Sequence, residues 1–442
     1  MRTRLLTVAL LCSLILPGWA QAALDIQNWE TEKGARVLFV QNDMLPMLDI
    51  RIVFDAASAR DNGLPGIAML TNGLLSEGAA GMDAQQLAEQ FESVGAQFEN
   101  ESLRDMAIVG VRSLTDEQYL GTAISTLTAV LTQPDFPQDA FERELARMKV
   151  AVEARKQSPS ELASIAFYET IYGEHPYATP SGGTEQSLAA ITLEDIEAFY
   201  QRYYVASNAV IVMVGAVDRK QAEILANQVI DGLPQGTRPE ALPPVPELTE
   251  AKTVKIEYPS TQSHIYVGQP GMTRDDEDYF KLYVANHPFG GSGFASRLMQ
   301  SVREDRGLAY SVSSYFLPMR EKGPFIMGLQ TRTDQTEEAL NILRDELEKY
   351  VAEGPTRDEL EASLSNIVGG FALNLDSNSK LVSNLAMIGF YDLPLDYLET
   401  YIDNMRDVSR RDVKKVLKQR LDTSRLVTVI VGNSSGSQSA GK

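Results

Sequence analysis

The sequence predicts an α+β fold: two homologous domains, each a mostly antiparallel sheet with helices packed on one face. Three observations carry this. The same strand, helix cap and amphipathic helix recur once at a near-constant offset. A proline-rich stretch separates the copies. Within each copy, strands cluster with helices without strict βαβ alternation. The length of 442 residues also exceeds one typical hydrophobic core.

The first element in chain order is an export signal. Arg2 and Arg4 precede an apolar run from Leu5 to Leu16, which Pro17-Gly18 ends before Ala20-Gln21-Ala22. That is the order of a positive region, an apolar core and an A-x-A cleavage site, with cleavage expected after Ala22. The run is shorter than the ~20 residues of a membrane span, so residues 1–22 read as a signal peptide, not a stable membrane insertion. The expected location is the periplasm. Cys12, the only cysteine, leaves with the signal. The mature chain then has no thiol for disulfides or metal. Loss of Arg2 and Arg4 leaves 38 basic residues against 60 acidic ones, a net charge of −22. Such a surface repels phosphate, so nucleic acid is excluded as a partner.

The repeat comes next. Ala209–Gly215 (AVIVMVG) and Leu426–Gly432 (LVTVIVG) both read as buried strands, and their closing glycines lie 217 residues apart. Each strand follows a helix with a capping signature. Thr192 with Asp195 opens one bearing Ile196, Phe199, Tyr200 and Tyr203. Ser409 with Asp412 opens the other, bearing Val413, Val416, Leu417 and Leu421. A third pair, Leu114-Thr115-Asp116 and Arg332-Thr333-Asp334, closes a strand-like run and starts a helix. Leu120, Ile124, Leu127 and Leu131 share one helix face; Leu340, Leu343, Leu347 and Tyr350 share the other. The predicted domains are therefore 23–233 and 253–432. Between them, 234–252 holds five prolines and reads as an extended, semi-rigid linker. Residues 433–442 are small and polar and are expected to be disordered.

Standard chemical motifs are absent. No G-x-S-x-G elbow or P-loop occurs. The three histidines, His175, His264 and His287, have no histidine three to five residues away. Zinc needs three or four converging ligands, so each histidine reads as structural: His175 in a loop, His264 in a strand, His287 before a Gly-rich loop.

One segment is distinctive. His287–Leu298 (HPFGGSGFASRL) is a Gly-rich turn leading into a helix that ends at Gly307, before RGLAYSV at Arg306–Val312. Gly290, Gly291, Ser292 and Gly293 permit close backbone approach, and their N–H groups are candidates for a peptide carbonyl or carboxylate. This string resembles the C-terminal signature of the M16 peptidases, the insulinase and processing-peptidase family. The resemblance implies that an arginine and a tyrosine seven residues later contact the substrate backbone. The spacing maps them onto Arg303 and Tyr310, with Arg306 the competing arginine. Guanidinium and phenol are both donors able to hold a carbonyl.

The first half is similar to the same family. Gly63–Leu75 (GLPGIAMLTNGLL) resembles its G-x-x-G-L-A-H-x-x-E-H-M-L motif, and Tyr172–Glu185 (YGEHPYATPSGGTE) its G-H-P-Y…G-T-E loop. In the family two histidines bind zinc and the glutamate is the general base. Here those positions are Met69, Asn72 and Gly73. A third ligand, a glutamate about 77 residues on, would fall at Val150-Ala151, with Glu153 out of register. The resemblance thus implies half of a clam-shaped dimer, with no cofactor in this chain and zinc in an H-x-x-E-H partner. This chain would be the non-catalytic, substrate-binding subunit of an exported peptidase acting on peptides. A homodimer, and a zinc-free peptide-binding, chaperone-like or scaffold protein, remain the alternatives.

Overall fold

Apolar runs become the strands of two sheets in the computed structural model, which describes residues 24–433. The expected signal peptide, residues 1–22, and tail residues 434–442 lie outside the described residues. The first half contributes β1 (Gln27–Glu30), β2 (Arg36–Gln41), β3 (Met47–Phe54), a hairpin of β4 (Gly78–Ala79) and β5 (Met82–Asp83), β6 (Gln97–Ser102), β7 (Ala107–Leu114) and β8 (Ala209–Gly215). The second contributes β9 (Lys252–Glu257), β10 (Gln262–Pro270), β11 (Ala309–Phe316), β12 (Pro324–Arg332) and β13 (Val427–Gly432).

The first sheet runs β1-β2-β8-β3-β7-β6 and the second β11-β12-β10-β13-β9. Read from β9, the second repeats the first from β2 onward. Both place their parallel pair at the same point, β2 with β8 and β13 with β9, and every other pairing within the two sheets is antiparallel. The repeated caps form as well. Thr192 with Asp195, and Ser409 with Asp412, make reciprocal capping boxes on the helices Leu193–Tyr203 and Arg410–Arg420. Each such cap is worth ~1 kcal/mol.

The expectation of helices on one face only is overturned. β8 is buried along its whole length, because both faces of its sheet are covered. Ile211 and Met213 join the first domain's own helices. Val210, Val212 and Val214 point the other way and pack against Leu385, Ala386 and Ile388 of the helix Asn378–Phe390, from the second domain. The exchange is reciprocal. Phe167, Ile171 and Tyr172 of the first domain's helix Pro159–Tyr172 pack with Val427, Val429 and Val431 of β13. Each domain thus lends one helix to the other's sheet. Leu242 and Val245 of the linker are buried in the second of these clusters. A buried carboxylate reinforces the junction: Asp105 accepts from Tyr177 Oη (2.6 Å), the Arg320 N–H (2.8 Å) and Tyr391 Oη (3.0 Å).

Candidate functional site

The helix Ile67–Leu74 carries the first candidate cluster. It starts at Gly66, whose φ of 99° is a left-handed conformation that favours glycine. Asp61 accepts from the Gly66 and Ala68 N–H groups at 3.0 Å each and fixes the first turn. Burial pushes the Asp61 carboxyl up to about 7, against the opposing pull of those two bonds and of Arg104.

On this helix Met69 is half-buried and lines a cavity. Asn72 is turned into the core, where its amide donates to the Ile108 carbonyl (3.3 Å) and to Tyr204 Oη (3.2 Å). Gly73 faces open space; a Cβ there would meet nothing within 4 Å. Val150, on the helix Gln138–Arg155, is 71% exposed. Glu153 pairs with Lys156 at 2.8 Å. A thioether, a core-bound amide and a missing side chain do not fit zinc, and no group of three or more His, Cys, Asp or Glu residues among the described residues could hold a metal ion.

The histidines are held by packing. His175 Nε2 lies 2.8 Å from the Pro243 carbonyl and its Nδ1 accepts the Tyr177 N–H. His287 contacts Asn366, and His264 sits in β10. Burial lowers the pKa of all three.

The Gly-rich segment is not an open loop leading into an α-helix. His287–Gly291 and Met299–Glu304 are single π-helical turns joined by a 3₁₀ turn at Gly293–Ala295. Such wide turns recur at functional sites. Gly290 is buried, and a Cβ there would stand 2.6 Å from the Ser314 nitrogen, so its glycine makes room for β11 rather than for a ligand. Gly291 abuts Asn286, and the Ser292 N–H is already given to the His287 carbonyl (2.8 Å). Only Gly293, exposed with φ +61°, keeps the open backbone expected of all four.

The two arginines separate clearly. Arg306 donates to the Ser301 carbonyl (2.6 Å) and closes its own turn. The Arg303 guanidinium carbon lies 4.9 Å from the ring centres of both Tyr310 and Phe294. Those rings are 82% and 72% exposed. Stacking on both holds the cation in place at a cost to its freedom, and each contact is worth about 0.5–1 kcal/mol at an exposed site. Phe294 was missed in the sequence; its signal was an aromatic residue inside a Gly/Ser turn.

The sequence and fold match known proteins. The profile described as "Insulinase (Peptidase family M16)" matches residues 36–185, and "Peptidase M16 inactive domain" matches residues 190–367. A Helicobacter pylori protein named a non-peptidase homolog is 26% identical over 95% of this chain and 96% of its own length. An uncharacterized zinc protease from Streptomyces coelicolor is 27% identical over 71% of this chain and 69% of its own. A crystal structure described as a peptidase M16 inactive domain, from Pseudomonas fluorescens, superposes with a TM-score of 0.90 at 39% identity, covering 93% of this chain and 98% of that one. A Helicobacter pylori protease shares the fold at a TM-score of 0.84 and 19% identity, covering 93% and 100%. The chain therefore belongs to the M16, insulinase-like peptidase family, and it is an inactive member: Met69, Asn72 and Gly73 supply neither the metal ligands nor the base that hydrolysis on zinc requires.

Proposed function

We propose that this chain is the non-catalytic, substrate-binding subunit of an exported M16 heterodimer, whose partner carries H-x-x-E-H and the zinc and whose substrates are peptides. The observation that carries the reading is the Arg303 guanidinium set between the exposed rings of Tyr310 and Phe294. A fork of N–H donors and a phenol, both reachable from solvent, suit the carbonyls of an extended peptide. Their retention beside a first-domain cluster that has lost its zinc chemistry favours a division of labour between two chains. The signal-like N-terminus, with no cysteine after it, supports export to the periplasm, and the strongly acidic composition disfavours a nucleic-acid partner.

The test is cleavage of a peptide by the assembled complex. Arg303→Ala and Tyr310→Phe are expected to lower kcat/KM by roughly tenfold each, about 1.4 kcal/mol, while assembly is unchanged. Arg306→Ala is expected to have a smaller effect. Full activity in both of the first two variants would refute the assignment.

A further inference from the structure

Beside Met69 lies a cavity of about 240 Å³, lined by Arg104, Arg155, Glu161, Tyr168 and the turn Ala178–Gly182. We propose that it binds a carboxylate of a bound peptide, with Arg104 and Arg155 as the anion-holding pair. The inference rests on the peptide-binding reading above and gives it a subsite in the first domain, where the lost motif stands.

The two arginines are fixed by backbone. Arg104 gives Nη1 to the Tyr177 (2.8 Å) and Thr179 (3.1 Å) carbonyls and lies over the Tyr168 ring, 4.5 Å from its centre. Arg155 gives Nη1 to the Gly183 carbonyl (3.1 Å), and its Nη2 fills the space that a side chain at Gly182 would need. Among the described residues these Nη1 bonds are the only hydrogen bonds the two guanidinium groups make, and neither forms an ion pair with a carboxylate. Guanidinium groups already anchored by one nitrogen lose little freedom on accepting a carboxylate, which matches their planar fork.

The rest of the lining agrees. Glu161 is the only acidic residue lining the cavity, which leaves a net charge of +1 there. Asp61, in the loop ahead of the neighbouring helix, also acts on Arg104, and burial pushes its carboxyl up to about 7, so that its negative charge is weakened at neutral pH. Ser164, Thr179 and Ser181 add hydroxyls. The volume is below the 300–1,000 Å³ of whole-ligand sites and suits one residue of a peptide.

The experiment is calorimetric titration of the processed full chain with three N-acetylated Gly/Ala/Ser hexapeptides: the free acid, its C-terminal amide, and the amide with one internal glutamate. A carboxylate-bearing peptide is expected to bind at least about tenfold tighter than the plain amide. Arg155→Gln should abolish that preference, and Arg155→Lys, which keeps the charge and guards against a folding defect, should retain part of it. Preference for the free acid identifies a C-terminal carboxylate; preference for the internal glutamate identifies a side chain. Equal binding of all three, or a preference that survives Arg155→Gln, overturns the subsite and leaves peptide binding standing. No binding by any peptide overturns both.

Discussion

Asn72→Glu puts back the residue type of the catalytic base, and it is expected to damage the fold rather than repair the chemistry. Asn72 is 2% exposed, and its amide serves the Ile108 carbonyl and Tyr204 Oη. Tyr204 is itself fully buried and packs on Phe54 and Tyr200, with ring centres 4.8 and 5.5 Å away. Asp61 is the local measure of what burial does to a carboxyl: from 3.8 it is pushed up to about 7 even with two N–H donors. A similar rise from about 4.3 for the new carboxyl costs about 4 kcal/mol at pH 8 and about 2 kcal/mol at pH 5.5. The sign follows from the raised folded pKa. Between the two pKa values the folded state holds a proton that the unfolded state releases, so stability falls as pH rises. Urea unfolding followed by circular dichroism at the two pH values measures this. A variant as stable as the wild type at pH 8, or a loss independent of pH, would refute the reasoning.

Two further outcomes concern the junction between the domains. Asp105→Ala leaves the donors of Tyr177, Arg320 and Tyr391 facing a buried gap and should cost about 3–5 kcal/mol, read from the urea midpoint; a loss under about 1 kcal/mol would show that the carboxylate does not join the halves. His175 is held with a lowered pKa by burial, so its neutral form contributes stability that is present above pH 6.5 and lost as pH falls through its folded value. The stability gap between the wild type and His175→Asn should therefore shrink from pH 7.5 to pH 5, and a constant gap would mean that His175 does not titrate on unfolding.

Much of the architecture was legible because the chain repeats itself. Thr192 and Ser409, with their acidic partners, announced two helices, and the runs ending at Gly215 and Gly432 announced two central strands. The exchange of helices was not legible. Phe167 and Leu385 sit in amphipathic patterns that state a buried face but not which sheet covers it. Nor could periodicity reveal the second covered face, although the unbroken apolar run of Ala209–Gly215 carried that signal. At the site, motif spacing selected Arg303 and Tyr310. The structure alone separated Arg303, stacked on two rings, from Arg306, spent on the Ser301 carbonyl. Glycine content misled at Gly290, where close packing against Ser314 and ligand access leave the same mark in sequence. Arg104 and Arg155 lie 51 residues apart and converge on one cavity only through the fold.

The most direct test of the central claim is a native pull-down of the tagged, processed chain from its own envelope fraction, with partners identified by mass spectrometry. A stoichiometric second chain that contains H-x-x-E-H and carries zinc is the expected result. Recovery of this chain alone, or only as a pair of identical copies, would contradict the division of labour and point to a zinc-free peptide-binding protein.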